Sequence, residues 1–467
     1  MFEPVQKQRW DPIEGFRSSL SSGIAKRELR NWSLIALSAL AIAGVFALLL
    51  AISRMPGADK LFPWPVAFYE KSLIIHVVFS FVVWFLAAAI ILMQIATYRL
   101  SEGKPSLPSM GRTALALMAI SFLGLAIPAF MDRGLPSINN YIPAITDPIY
   151  YNGLLLIAFA SILMATRAIT NMLNRTGPLE PIGASGLASA VVVFVAIATF
   201  AVSWNRLGGM PVSAAENEDL FWAGGHILQF LNTSVMIGAW VLLGGRAYGK
   251  PTIAPKTVMI ALGMNTLLAV GGFALLFIEV PFSAEERVLF THYQYALAPA
   301  PIFIGLLAAI VLLRTPVIDG EPARAARVAL ALSLVLFFSG GFMGIFVDGT
   351  DTRTPAHYHG VIGAVNLAVM SFMVLFVLPI LERDLVKWKA IRIAFWLYGL
   401  GQLLHSLGLF VAGGYGAPRK VAGTAPNFDE IINWAGHLGI GVGGVIAVIG
   451  GIMFIWITGR RLIQRTH

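Results

Sequence analysis

The sequence predicts an all-α integral membrane protein of twelve transmembrane helices, on three observations. Of its 467 residues 57% are hydrophobic and only 12% charged, with a mean hydropathy of +0.77, a balance that water alone does not keep soluble. Apolar stretches of about the 20 residues that cross a bilayer as a helix recur along nearly the whole chain. Lys and Arg gather in alternate connections between them, as they do in short loops held on the cytoplasmic side.

Residues 1–30 are polar and basic and carry no apolar core ahead of a small-residue cleavage site, so they read as a cytoplasmic arm and not as a signal peptide. The spans then fall at 31–54, 69–98, 112–131, 147–173, 185–206, 219–245, 256–279, 295–314, 324–347, 354–381, 390–413 and 431–458. The third is short and contains Pro128. Together they make one membrane domain over 31–458, followed by a tail at 459–467, with no soluble domain left over.

Orientation follows from the charges. Lys26, Arg27 and Arg30 precede the first span; Arg99, Lys104 and Arg112 follow the second; Arg246, Lys250 and Lys256 follow the sixth; Arg383, Lys387 and Lys389 follow the tenth; Arg460, Arg461 and Arg465 end the chain. Both termini are therefore expected in the cytoplasm, in a multi-pass protein of a bacterial-type inner membrane. Acids such as Glu216, Glu218, Asp219, Glu285, Glu286, Asp348, Asp351, Asp429 and Glu430 occupy the other loops. The net charge of +9 is thus accounted for by topology, and it does not signal a nucleic-acid partner.

In that topology seven of the eight histidines share one depth, in the outer third. His76, His226 and His437 lie two turns into helices entering from outside, and His357 and His359 one turn into another. His292 falls in an external loop, and His405 near the outer end of its helix. Incidental histidines scatter in depth; a shared level points to a common buried site. Singly, His405 and His437 read as interhelical hydrogen-bond donors. Residues two apart on a helix are turned by about 200°, so His357 and His359 cannot bind one metal ion from a regular helix, but they can face two cofactors on either side of it. The chain has no cysteine, while zinc and iron–sulfur sites draw mostly on thiolates. Haem of b type needs only axial imidazoles and an apolar slot, and it fits better. A C-x-x-C-H haem attachment and a thiolate copper centre are both excluded in this chain.

A lone His in the second helix, a His in the sixth, a His after the seventh and H-x-H at the head of the tenth, over twelve helices, resemble the catalytic subunit of the haem–copper oxidase superfamily. That family includes terminal oxygen reductases and nitric oxide reductases. "AHYHG" resembles its tenth helix and "GGYGAPRKV" its eleventh-to-twelfth connection. The resemblance implies two haems, b-type or modified. His76 and His359 would be the axial pair of a low-spin haem and His357 the proximal ligand of a high-spin haem, with Arg353 near the propionates. It implies a second metal, copper or non-haem iron, beyond the high-spin haem, where His226 and His292 match the family's ligands. It also implies partners: a smaller subunit carrying a c-type haem or copper electron-entry centre, and cytochrome c or a similar external donor.

Two departures bear on the substrate. In "FTHYQYALAP" Thr291 stands where the first of a histidine pair belongs, leaving His292, with Gln229, Thr291, Tyr293 and Tyr295 as the nearest added ligands. In "GGHILQF" Phe230 stands where the commonest oxygen reductases have a tyrosine four residues after the histidine. Reducing O₂ takes four electrons, one drawn from that tyrosine, whereas joining two NO molecules takes two and needs none. Phe230 favours NO; Tyr295, as a substitute phenol in the loop, is the feature that serves the cytochrome c oxidase-type alternative.

Proton supply is an independent clue. The acids expected within helices are Glu70, Asp147 and Glu279, all near outer ends, and the inner half offers only neutral groups such as Gln94, Thr97, Asn265 and Ser371. This agrees with protons taken from outside, with Glu279, Glu285, Glu286, Asp348 and Asp351 as the candidate relay. Two further readings are a homologue that only transfers electrons and a secondary transporter; the latter class shows internal repeats and broken midplane helices, and neither a repeat between the two halves nor a midplane cluster of charges is seen here.

Overall fold

The computed structural model describes residues 13–53, 67–138, 142–347, 349, 351–383, 385, 387–418 and 431–464. Asp348, Asp429, Glu430, Arg465 and the Arg419–Val421 part of the "GGYGAPRKV" segment lie outside the described residues. Among the described residues twelve helices are long and apolar enough to cross a bilayer: α1 (Gly23–Leu49), α2 (Glu70–Leu100), α3 (Pro108–Phe130), α4 (Pro148–Leu173), α5 (Pro181–Leu207), α6 (Ala214–Tyr248), α7 (Pro255–Phe277), α8 (Ala284–Arg314), α9 (Glu321–Gly344), α10 (Arg353–Ile380), α11 (Trp388–Gly414) and α12 (Trp434–Ile463). Every span expected from the apolar stretches is present.

The ends of the helices follow from local chemistry. Proline opens α3, α4, α5 and α7, at the position where its missing N–H costs no helical bond and its fixed φ suits the first turn. The Asp147 carboxylate caps α4 by accepting from the Ile149 amide at 2.8 Å, and Ser213 caps α6 by accepting from the Glu216 amide at 3.2 Å. Two π-helical stretches interrupt otherwise regular helices, Val78–Val83 in α2 and Met373–Val377 in α10.

The first span begins before residue 31, at Gly23, and a short helix Glu14–Ser19 precedes it. Much of what reads as a polar arm is therefore helical. Its polar residues are used. Arg30 Nε donates to the Leu462 carbonyl at 2.7 Å, Lys26 pairs with Glu382 and Arg383 donates to the Arg461 carbonyl. The start of α1, the end of α10 and the end of α12 thus meet at one end of the bundle, called the terminal end below. At the opposite end two strands, β1 (Pro136–Ser137) and β2 (Ala144–Ile145), pair antiparallel. They dock onto α6 through Asn217, whose amide donates to Ser137 Oγ at 3.0 Å.

Helices pack mainly against neighbours in sequence, α3 on α4, α5 on α6, α9 on α10 and α11 on α12, and α10 also crosses onto α11. The most enclosed spans are α2, α6 and α10, with 78%, 78% and 83% of their apolar windows buried against 22% for α12. The helices carrying His76, His226, His357 and His359 are therefore the inner ones.

A buried ion pair corrects the expectation of a carboxylate-free inner half. Glu28, in the second turn of α1, binds Arg167 of α4 and accepts from Tyr98 Oη of α2 at 2.9 Å. Arg167 is 0% exposed, and Gly111 of α3 closes against both charges. Reading 1–30 as an arm hid Glu28; Arg167 sits within an apolar run. The pair ties four helices together, and Glu28 is engaged by two donors. We expect Arg167→Met to cost about 3–5 kcal/mol, because it leaves a buried carboxylate unpaired. The double variant with Glu28→Gln should recover most of that loss, as read by thermal unfolding in detergent.

Candidate functional site

Four intramembrane histidines share one device. His76 Nδ1 lies 2.8 Å from the Ala43 carbonyl of α1, His357 Nδ1 2.8 Å from the Gly340 carbonyl of α9, His405 Nδ1 2.8 Å from the Ile440 carbonyl of α12 and His226 Nδ1 2.7 Å from the Trp222 carbonyl one turn before it. A carbonyl only accepts, so each Nδ1 carries the proton and each Nε2 keeps its lone pair, the state of an imidazole oriented to ligate a metal.

The two histidines at the head of α10 go to different neighbours. His357 faces α9, where Gly340 accepts its proton; a Cβ on Gly344 would come within 2.6 Å of its Nδ1, so only glycine leaves room for the ring. His359 faces α11. Its ring stands 4.7 Å from that of His405 at an interplanar angle of 78°. Helix α10 thus separates the His359–His405 cluster from the surroundings of His357. Beneath that cluster α2 and α10 are tied by Trp84 Nε1 donating to Asn366 Oδ1 at 2.7 Å.

The expected pair for a second metal is not brought together. The segment assigned to an external loop is the first part of α8, a helix over Ala284–Tyr293. Ser283 caps it, accepting from the Glu286 amide at 3.1 Å. From that start the 3.6-residue repeat turns Glu286, Phe290 and Tyr293 inward and leaves Thr291 and His292 exposed; Tyr295, in the 3-10 turn that follows, is 68% exposed. Thr291 Oγ1 donates to the Arg287 carbonyl. Beside His226 stand the rings of Trp222 at 4.7 Å and Phe290 at 5.8 Å. Gln229 accepts from Asn232 at 3.3 Å and lines a narrow gap between α2 and α6 with Phe81 and Phe85. Among the described residues no three of His, Cys, Asp and Glu form a metal-holding group.

Phe230 is fully buried, with its ring 6.3 Å from that of Tyr293. Tyr293 Oη donates to the Leu268 carbonyl of α7 at 2.7 Å. The phenol that reaches this region is therefore Tyr293 and not Tyr295. The signal was present in "SAEE", a serine with glutamate three residues later, which marks a helix start and fixes which residues face inward.

Among the relay candidates, Glu279 and Glu285 are exposed. Glu286 is buried and accepts from the Phe282 amide at 2.6 Å and Arg206 Nη1 at 3.2 Å, while Asp351 pairs with Arg353 at 2.6 Å. The latter pair caps α10 just above the histidines, with the Arg353 amide donating to Asp351 Oδ1 at 2.8 Å. A separate apolar cavity of about 500 Å³, among Leu155, Phe200, Trp204 and Leu228 of α4, α5 and α6, is not lined by any histidine.

Residues 29–436 match the family described as Cytochrome C and Quinol oxidase polypeptide I. The chain belongs to that family. It is also similar to an uncharacterised protein of Rickettsia prowazekii (strain Madrid E), 24% identical over 92% of this chain and 95% of the relative. A protein of Aquifex aeolicus (strain VF5) is 28% identical over 75% of this chain and 86% of its own length. In fold, a haem–copper terminal oxidase solved as a dimer superimposes with a TM-score of 0.74, at 18% identity, covering 96% of this chain and 85% of that one. The twelve-helix fold is that of the family's subunit I, and the chain is an oxidoreductase of the haem–copper superfamily.

The residues fit two haems of the kind the family holds. His76 and His359 are carried by the enclosed helices α2 and α10, His357 is turned to α9 and His359 to α11, and the Nδ1 hydrogen bonds of His76 and His357 leave Nε2 as the nitrogen that would hold iron. They do not fit a second metal held by His226 and His292. We expect His76→Ala to abolish the six-coordinate low-spin haem spectrum while leaving the carbon monoxide-binding haem in place. Gly344→Val should do the reverse, because its side chain takes the space of the His357 ring.

Proposed function

We propose that this chain is the gas-reducing subunit of a respiratory oxidoreductase, with a low-spin haem between His76 and His359 and a high-spin haem on His357. One observation carries the reading: the two histidines of H-x-H on α10 are directed to different helices, His357 to α9 and His359 to α11, so that one helix connects two redox centres. The haems supply one-electron transfer and a gas-binding iron. The chain orients their ligands and lines the high-spin side with Trp222, Phe290 and Phe230 in place of water.

Within this reading the substrate is NO, reduced as 2 NO + 2 H⁺ + 2 e⁻ → N₂O + H₂O. Phe230 supports it, since a two-electron reaction needs no phenol at that position. The engaged state of Glu28 supports proton uptake from the side opposite the termini, which we place in the cytoplasm on the distribution of Lys and Arg. Electrons arrive from an external donor through a smaller subunit with a c-type haem or copper centre. Tyr293 favours a second reading, O₂ reduction, because its ring lies beside Phe230. The outward position of His292 favours a third, in which the subunit only transfers electrons.

Turnover in sealed vesicles decides among them. We expect NO consumption with N₂O formed and almost no membrane potential. Rapid O₂ reduction that builds a potential and fails in Tyr293→Phe establishes the second reading. Two haems with no further copper or iron per chain, and no turnover of either gas, establish the third.

A further inference from the structure

His405 has no part in the ligand set above, although it is in ring contact with one of its members. It sits on α11 with its ring 4.7 Å from the His359 ring, edge to face. Its Nδ1 is held at 2.8 Å by the Ile440 carbonyl, and α12 comes this near because its contact residues are glycines: a Cβ on Gly443 would fall 2.4 Å from the His405 amide nitrogen. The ring is thus fixed from behind, with the Nε2 lone pair on the other side.

His359 differs from its neighbours in one respect. His76, His226 and His357 each give a ring proton to a backbone carbonyl, whereas His359 makes no ring hydrogen bond among the described residues and has the rings of Tyr358 and His405 around it. A metal-bound imidazole gives its second N–H to an acceptor in nearly every known case, and that acceptor sets ring orientation and ligand basicity.

We propose that His405 is the positioning residue of the low-spin haem site. Its Nε2 accepts the N–H that His359 retains when the other nitrogen of His359 is on iron, and it replaces the backbone carbonyl that the other rings use. The proposal rests on the reading of His359 as an axial ligand. Losing the acceptor makes His359 a weaker donor to ferric iron, and axial donation is one lever on haem potential; removal of His405 therefore favours the reduced haem.

The test uses two variants of the full chain. His405→Phe keeps a ring and removes the acceptor; His405→Gln keeps an acceptor oxygen and an N–H for Ile440. In His405→Phe the low-spin haem should be easier to reduce by about tenfold in the equilibrium constant, 59 mV for one electron. The ferric low-spin paramagnetic resonance spectrum should shift and the high-spin, carbon monoxide-binding spectrum should stay the same. His405→Gln should return both low-spin properties toward the parent values. Equal shifts in the two variants, or none in either, overturn the positioning role and leave His405 as packing. If His405→Phe does not retain haem, His405→Gln decides alone: parental potential and spectrum support the proposal, and any other result overturns it. A His359→Ala variant that keeps the low-spin signal overturns the ligand assignment itself, and the proposal with it.

Discussion

A buried imidazole has two nitrogens to satisfy, and in lipid no water takes the one that the metal leaves. The hydrogen bond from Nδ1 to a backbone carbonyl meets this constraint at His76, His226, His357 and His405, and much of the site's architecture depends on it. Helical carbonyls already accept one bond, but their second lone pair is available when the neighbouring helix comes close enough. The bond does more than satisfy a donor: it selects the tautomer and holds the ring plane, so that the ligand nitrogen is in place before any cofactor arrives.

Close approach is bought with small residues, as helix contacts in membranes generally require. Gly340 and Gly360 bring α9 against α10 with a would-be Cβ only 2.6 Å from the opposing backbone, and Gly408 and Gly443 do the same for α11 on α12. These positions are adjacent to His357 and His405, so glycine packing and histidine orientation are parts of one arrangement. At the terminal end the fastening is ionic, through Glu28 and Arg167.

The placement of His292 and Tyr293 has one physical cause. A helix start at Ser283 fixes the rotation of everything after it, and that rotation puts Phe290 and Tyr293 inside and His292 outside. A sequence motif aligned position by position, with the segment treated as a loop, carries no information on this rotation.

The sequence by itself determined the class and the number of spans, because each rests on short-range rules, while the haem-ligand candidates came from its resemblance to the family. Twenty apolar residues span a bilayer, alternate loops differ in charge, and His357 and His359 must diverge on any regular helix. It also held the signal for the helix at Ser283, which was read as a loop. Only the tertiary structure decided which neighbour each ring meets: that Ala43 and Gly340 supply carbonyls, that His405 lies against His359, that Tyr293 and not Tyr295 reaches Phe230, and that Glu28 finds Arg167. Those outcomes depend on the rotation and separation of helices far apart in sequence, quantities that the periodicity of a single span does not contain.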